Sequence, residues 1–200
     1  MLLSNTAIYS ALDDGRLTVL PEPAPRYCPI DGSRSPYDST AINLRLGNVF
    51  RTPKDNLSIC FDVPRGNIRD TLKIFYEEQR LTDSESYNLQ PGKFVLATTR
   101  EFIKLAKDRK SEWVNKPLLA ARVEGKSSFA RVGLLVHFTA PTIHCGFEGQ
   151  ITLEIICLGK YPIILKPGMQ ICQLLVEEVF QDPSNYTSQF QSQTDPAGKI

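Results

Sequence analysis

The stretch QITLEIIC, residues 150–157, alternates between two sets of side chains. The first set is Ile151, Leu153, Ile155 and Cys157, and the second is Gln150, Thr152, Glu154 and Ile156. A period of two is the repeat of a β-strand, because successive side chains point to opposite faces of a sheet. The stretch therefore predicts a strand that buries one face, and a fold that is built from sheets.

Further apolar segments on both sides of this strand are also predicted to be strands, and several are bounded by proline or glycine. The predicted strands are residues 42–46, which stop at Gly47, residues 93–97, which follow a Pro-Gly turn, and residues 134–138, 162–165 and 171–179. Short strands separated by 14 prolines and 12 glycines are typical of an all-β sandwich or barrel.

Helices are expected to be the minor component. Ile68, Leu72, Phe75 and Tyr76 lie on one face of a plausible helix over about residues 67–80. A shorter helical turn is expected near residues 100–105, and a proline-rich loop over residues 21–38. Residues 181–200 are mainly Gln, Ser, Asn, Thr and Pro, a composition that by itself indicates a disordered tail.

Composition and charge exclude several classes of function. The chain has 200 residues, of which 42% are hydrophobic, and this suits one domain over residues 1–200. A net charge of +1 does not attract nucleic acid or anionic membranes to the whole surface, so any anion would bind at a local site. No apolar run approaches the roughly 18 residues of a membrane span. The N-terminus lacks a basic region and meets Asp13 and Asp14 early, so we expect a cytoplasmic protein without a secretory signal.

The cysteines indicate reduced thiols. They are odd in number, no C-x-x-C motif occurs, and they are scattered as Cys28, Cys60, Cys145, Cys157 and Cys172. Reduced, buried thiols therefore fit better than disulfides or a metal cage.

Two groups of polar residues are candidates for chemistry. Lys126, Ser127, Ser128 and Arg131 place two cations and two hydroxyls within six residues, which suits either a surface turn or a phosphate cradle. Glu154 lies within an apolar strand, where it is either a solvent-facing residue or a carboxylate in a pocket that works as a general acid and base. The residues alone leave both alternatives open.

The two histidines do not indicate a zinc enzyme. A zinc deaminase carries H-x-E followed by P-C-x-x-C, whereas His137 is followed by Phe138 and Thr139. His144 and Cys145 are adjacent and would point apart on a strand, so they make a poor chelate. A serine hydrolase is equally weakly supported, because no G-x-S-x-G motif occurs.

The long motif EGKSSFARVGLLVHFTAPTIHCGFEGQITLEI, residues 124–155, resembles the core signature of the dCTP deaminases, which belong to the trimeric dUTPase-like family. The flanking segments PGKFVLATT (91–99), DSTAINLRLG (38–47) and LKPGMQICQL (165–174) resemble further strands of that family. The likeness covers most of the chain and is weakest over residues 53–85. It implies a distorted jelly-roll-like β-barrel with a minor helical component, assembled as a homotrimer with shared active sites.

The resemblance also assigns roles to residues. Glu154 would take a proton from the attacking water and pass it to the pyrimidine ring and the leaving ammonia, while Ser127 and Arg131 orient the water and stabilise the intermediate. The implied substrate contacts are Lys126 and Ser128 on the triphosphate, and Phe138, Thr139 and Ala140, the last through its backbone carbonyl. Catalysis would need no zinc, and Mg²⁺ would arrive on the triphosphate rather than on side chains.

Two further features follow from the likeness. In the family, the serine and arginine come from one subunit and the glutamate from its neighbour. The segment SQFQSQ, residues 188–193, resembles a C-terminal lid that closes over the nucleotide, with Gln189 and Gln193 as ligand contacts. We therefore expect residues 181–200 to be a lid rather than a disordered tail.

His144 departs from the family pattern. Many relatives carry an aspartate at that position, where it serves the sugar and, in dUTPases, the water that attacks the α-phosphorus. Its replacement favours deamination of dCTP to dUTP and ammonia alone, a reaction that would supply dUTP for thymidylate synthesis. The alternatives are a bifunctional enzyme that releases dUMP and pyrophosphate, and a nucleotide-sensing trimer without turnover.

Overall fold

A computed structural model of the chain describes residues 1–28, 30, 33–55, 68–183 and 192–196. The helices are α1 (Asn5–Asp13), α2 (Ile68–Phe75) and α3 (Ser127–Ala130). The strands are β1 (Leu17–Leu20), β2 (Ile42–Pro53), β3 (Tyr76–Arg80), β4 (Tyr87–Leu89), β5 (Phe94–Leu105), β6 (Leu119–Gly125), β7 (Leu134–Leu135), β8 (Thr142–Ile143), β9 (Glu148–Cys157), β10 (Ile163–Leu165) and β11 (Gln170–Glu178). The expectation of a mostly β fold with a minor helical component is confirmed.

Nine of these strands form one curled antiparallel sheet, a half-barrel. Its order is β7-β9-β5-β2-β11-β6-β8, with β1 paired to β5 and β3 paired to β2, while β10 and β4 form a separate pair. The long strands β2 and β5 change partners along their length. Their register shifts between Leu46 and Phe50 and between Thr98 and Phe102, and the pairing of β2 with β11 shifts between Gln170 and Cys172. Such shifts increase the local twist and bend of a sheet.

The core lies on the inner face of this curled sheet. In β9 the apolar set that the sequence predicted, from Ile151 to Cys157, is buried, and the second set is half-buried. Leu153, Leu174 and Phe50 are fully buried in the same cluster. Burial of each such side chain contributes about 1.5–3 kcal/mol, so the alternation along β9 decides which face of the sheet is inside.

Gly47 does not end a strand as predicted, because β2 runs on to Pro53. An ideal Cβ at Gly47 would lie 2.9 Å from the backbone oxygen of Thr98. The backbones of β2 and β5 therefore approach closely at this register shift, and only glycine, which has no Cβ, fits between them.

The helical turn expected near residues 100–105 is wrong, because these residues belong to β5. Phe102 pairs with Gln150 of β9 on one side and with Leu20 of β1 on the other. Ile103 and Leu105 are both buried. Pairing with strands that are distant in sequence has overridden the local helical pattern.

The helix predicted over about residues 67–80 is half correct. Residue 67 lies outside the described residues, α2 covers Ile68–Phe75, and β3 follows at once and pairs with the second half of β2. Because β2 continues past Gly47, it offers an edge that residues 76–80 fill. The N-terminal helix α1 was not predicted. It is capped by Ser4, whose hydroxyl accepts the backbone N–H of Ala7 at 3.4 Å.

Three smaller features of the chain complete the description. The strand predicted over residues 134–138 is only two residues long in β7, although Val136 remains buried. Cys157 and Cys172 are buried free thiols, but Cys28 is exposed, and Cys60 lies outside the described residues. Among the residues that the structure describes, no helix is long and apolar enough to cross a membrane.

Candidate active site

A cavity of about 410 Å³ lies beside β9. Its floor includes Ile151, Thr152 and Glu154, and its walls come from the chain after β7, from the loop after β8 and from residues 193 and 196 near the C-terminus. Leu72 of α2 also lines it, so the stretch over residues 53–85, where the family likeness was weakest, contributes one wall. The volume falls within the roughly 300–1,000 Å³ that small-molecule sites occupy.

Glu154 meets His137 at this cavity. The register of β7 with β9 pairs Leu135 with Ile156, and two further residues along each chain bring His137 opposite Glu154. His137 Nδ1 lies 3.0 Å from Glu154 Oε2, with the side chains 10% and 30% exposed. His137 was not among the predicted site residues; only the pairing of two predicted strands, continued beyond β7, points to it.

The contact leaves hydrogen-bonding capacity unused. His137 Nε2 and Glu154 Oε2 are buried and have no aligned hydrogen bond within the described part of the chain. The two side chains are in contact at 3.0 Å, but the contact does not meet the geometry of a hydrogen bond at Oε2. The Glu154 side chain as a whole is 30% exposed and lines the cavity, so the carboxylate is accessible to a water molecule or an amino group of a ligand.

The residues after His137 form a second, smaller cavity beside Glu154. It measures about 280 Å³ and is lined by Phe94, Phe138, Thr139, Ala140 and Glu154. The ring of Phe138 is exposed and packs edge to face on Phe94, with centroids 5.8 Å apart. Glu154 therefore lies between two adjoining cavities, and Ala140 lines both of them.

The segment with the paired serines lies apart from Glu154 in the single chain. Ser127 and Ser128 begin the helical turn α3, which follows β6, and Arg131 ends it. All three are exposed, and none lines either cavity. Phe129 anchors the turn by packing against the core, so the polar side chains around it face outward.

Lys126 is held at the start of the same turn. Its Nζ donates to Asn43 Oδ1 at 2.6 Å and to Gln170 Oε1 at 3.3 Å. Both partners are neutral, so the ammonium charge is oriented by hydrogen bonds without being neutralised by them. Such a cation can attract an anion at the outer surface of α3.

The C-terminal segment contributes Gln193 to the cavity wall. Gln193 is buried, and its Nε2 donates to the backbone oxygen of Gln150 at 2.8 Å. Gln189, the other expected contact of this segment, lies outside the described residues. His144 is exposed and lines the same cavity as Gln193.

The cavity also contains a thiol, but its surroundings do not favour nucleophilic catalysis. Burial, with the negative charges of Asp108 and Asp182, raises the pKa of the Cys145 thiol. That thiol lines the cavity but is disfavoured as a thiolate nucleophile. Within the described ranges, no group of three or more His, Cys, Asp or Glu side chains is arranged to hold a metal ion.

Comparisons with known proteins agree on one family. A family profile described as dCTP deaminase-like matches residues 2–179. A "dCTP deaminase, dUMP-forming" of Dictyoglomus turgidum is 35% identical over 174 residues, which cover 87% of this chain and 78% of that protein. A "dCTP deaminase" of Actinobacillus succinogenes is 35% identical over 180 residues, which cover 88% of this chain and 83% of that protein.

One solved structure shares the fold. The crystal structure of 2'-deoxycytidine 5'-triphosphate deaminase from Agrobacterium tumefaciens matches with a TM-score of 0.59 and 20% identity. The match covers 89% of this chain and 48% of that one, so this chain spans about half the length of that protein. At this identity, the likeness shows the arrangement of the strands.

Proposed function

The chain belongs to the dCTP deaminase-like family, and from that premise we propose that it is an enzyme that converts dCTP and water to dUTP and ammonia. The observation that carries the proposal is the Glu154 carboxylate, which lies beside His137 at the floor of the larger cavity. Deamination at C4 needs one group that first accepts and then donates a proton, and this carboxylate is accessible from the cavity.

Glu154 acts as the general base and then as the general acid. The water oxygen bonds to C4 of the cytosine ring while Glu154 accepts a proton from the water. The same carboxyl group returns this proton to the ring nitrogen. It then accepts the remaining proton of the new C4 hydroxyl and passes it to the amino group, so the C4–N bond breaks, the C4 carbonyl forms and ammonia leaves. A positioned group of this kind contributes about 10²–10⁴ to the rate.

Ser127 and Arg131 complete the site from a neighbouring subunit in a homotrimer. Their exposure on α3, outside both cavities of their own chain, supports this assignment. Lys126 and Ser128 on the same turn bind the triphosphate. Mg²⁺ is expected to be carried by the phosphate oxygens, and no zinc takes part.

The walls of the cavity hold the cytosine ring and the attacking water. Phe138 and Thr139 lie beside the reacting atoms, and the Ala140 carbonyl helps to hold the water. Gln193, which lines the cavity, contacts the nucleotide from the C-terminal side together with Gln189. The proximity of Ala140 to Glu154 in the smaller cavity supports this arrangement.

The product is dUTP rather than dUMP. Attack on an α-phosphorus needs a positioned, partly deprotonated water, and an imidazole at His144 directs its nitrogens differently from a carboxylate. The second candidate is a bifunctional enzyme that releases dUMP and pyrophosphate, and it is favoured by the "dUMP-forming" relative at 35% identity.

Product analysis tests the proposal. The protein is incubated with dCTP and Mg²⁺, nucleotides are separated by ion-exchange chromatography, and ammonia and pyrophosphate are measured. We expect dUTP and ammonia in equal amounts, and a fall in turnover of about 10²–10⁴ in Glu154→Gln with dCTP binding retained. The matched control is Glu148→Gln, on the same strand but paired with Lys104 at 3.0 Å, which should keep its activity.

Each contrary outcome has a distinct meaning. Formation of dUMP and pyrophosphate at the rate of ammonia release identifies the bifunctional enzyme. Near-normal turnover in Glu154→Gln refutes the role of that residue. Binding of dCTP without any ammonia release identifies a nucleotide sensor.

A further inference from the structure

The C-terminal residues 192–196, which we call the strap, are bound to the edge of the cavity by backbone hydrogen bonds. The Ser192 N–H donates to the Glu148 oxygen at 2.6 Å, and the Gln150 N–H donates to the Gln193 oxygen at 2.8 Å. Gly149 leaves room for the strap, because an ideal Cβ there would lie 3.0 Å from the backbone nitrogen and oxygen of Gln193. These contacts hold the beginning of the strap against β9.

A buried ion pair holds the other end. Arg51 of β2 donates through Nε and Nη2 to the two carboxylate oxygens of Asp195, both at 2.8 Å. The side chains are 9% and 2% exposed. A bidentate arginine–carboxylate pair fixes orientation as well as distance, so the Asp195 end of the strap has one preferred position.

Arg51 has a second acidic partner that does not belong to the strap. Its Nη2 also donates to Glu78 Oε2 of β3 at 2.6 Å. A buried guanidinium that lost its only carboxylate would be left as an uncompensated charge, which is strongly unfavourable. Because Glu78 remains beside Arg51, release of Asp195 does not create such a charge, and the strap can leave and return.

We propose that Arg51 and Asp195 are positioning residues that clamp the strap so that Gln193 and Pro196 form one wall of the cavity. The pair acts through Gln193, which lies two residues from Asp195 and lines the cavity, whereas Arg51 and Asp195 do not line it. The ligand that the wall contacts is a deoxycytidine nucleotide, and this identification rests on the proposed function.

Loss of the clamp is measured first without any substrate. In Asp195→Asn, hydrogen–deuterium exchange should be about tenfold faster or more at the amides of Ser192 and Gln150, since a charge-assisted pair is lost. Exchange at the core strand β11 should be unchanged. The matched control is Asp182→Asn, which removes an exposed pair with Arg109 near the C-terminus and should not change exchange at either amide.

Kinetics then separates positioning from general stability. The KM for dCTP should rise about tenfold or more in Asp195→Asn, and Asp195→Glu, which retains the charge, should recover part of the loss. In a Gln193→Ala background, Asp195→Asn should add little further increase in KM, because the pair acts through Gln193.

The outcomes distinguish this proposal from the proposed function. Unchanged exchange in Asp195→Asn, or faster exchange with an unchanged KM, overturns the clamp, and so do fully additive effects of Gln193→Ala and Asp195→Asn. If the unmodified protein releases no ammonia from dCTP, the proposed function fails while the exchange measurement still decides whether the ion pair holds the strap. Should Asp195→Asn fail to fold, the same measurements on Arg51→Lys replace it, with faster exchange at Ser192 and Gln150 expected and unchanged exchange overturning the clamp.

Discussion

Two inactive variants of the chain should restore activity when they are mixed, if the site is shared between subunits. The variants are Arg131→Ala and Glu154→Gln. The structure motivates the pair because Glu154 lies at the cavity floor, whereas Arg131 is exposed on α3 and lines neither cavity of the same chain. The turnover of each variant alone should be about 10²–10⁴-fold lower than that of the unmodified protein, which is the usual contribution of one catalytic group.

The size of the recovery follows from how the subunits combine. In a closed ring that assembles at random from equal amounts of both variants, the chain that provides Glu154 is intact at that residue half of the time. Its neighbour is intact at Arg131 independently, also half of the time. About one quarter of the sites should therefore be intact, and activity should return to about 25% of that of the unmodified protein. If both residues came from one chain, every site would carry a lesion and no recovery would occur.

The assay is ammonia release from dCTP after the two variants have been dissociated and reassembled together. Native mass spectrometry of the mixture confirms that mixed trimers have formed. The control mixes Arg131→Ala with Ser127→Ala, whose lesions lie on the same turn, so no site can be complete and no activity should return. The reasoning is refuted if mixed trimers form without recovery of activity, or if the control mixture recovers it.

Three further predictions follow from the site and its surroundings. His137→Phe should lower kcat about tenfold or more with little change in dCTP affinity, since the contact of His137 with Glu154 is lost; an unchanged kcat in steady-state kinetics would remove His137 from the site. Dialysis against a strong zinc chelator, with Mg²⁺ restored, should leave ammonia release unchanged, and recovery by zinc alone would contradict the mechanism. Burial acts to raise the pKa of Asp14, but hydrogen bonds from Lys116 and Arg16 outweigh it and hold that pKa below its ordinary value. The stabilisation from Asp14 is therefore present above its unfolded pKa of about 3.9 and is lost as the pH falls through the folded pKa. Asp14→Asn should lower the free energy of unfolding by about 1–3 kcal/mol at pH 7, and urea titrations should show this difference shrinking below about pH 4; a difference that stays constant with pH would contradict the assignment.

The site shows where inference from the sequence stops. The residues alone left Glu154 either at a solvent-facing position or in a pocket, and alternation along β9 could not decide between them, because both positions lie on the same face of the strand. The structure places it in a cavity because the chain after β7 and residues 193 and 196 cover that face. The resemblance pointed to Ser127 and Arg131, and the single chain does not bring them to Glu154.

Local periodicity was sufficient for the elements whose burial is simple. The strand over residues 150–157 and its buried face could be predicted, because the two-residue repeat of an extended backbone requires the apolar side chains to share one face. The same repeat was missed over residues 100–105. There the strand is stabilised by its pairing with β9 and β1 on its two sides, and neither partner is local in sequence.

The sequence by itself therefore determined the class of the fold, the buried face of the strand over residues 150–157, and the short motifs that carry charge and hydroxyl groups. Only the tertiary structure decided which distant groups meet: His137 with Glu154, and Arg51 with Asp195. The physical reason is that periodicity is set by the geometry of the backbone within a few residues. The meeting of distant side chains depends instead on strand order and register, which the packing of the whole core selects.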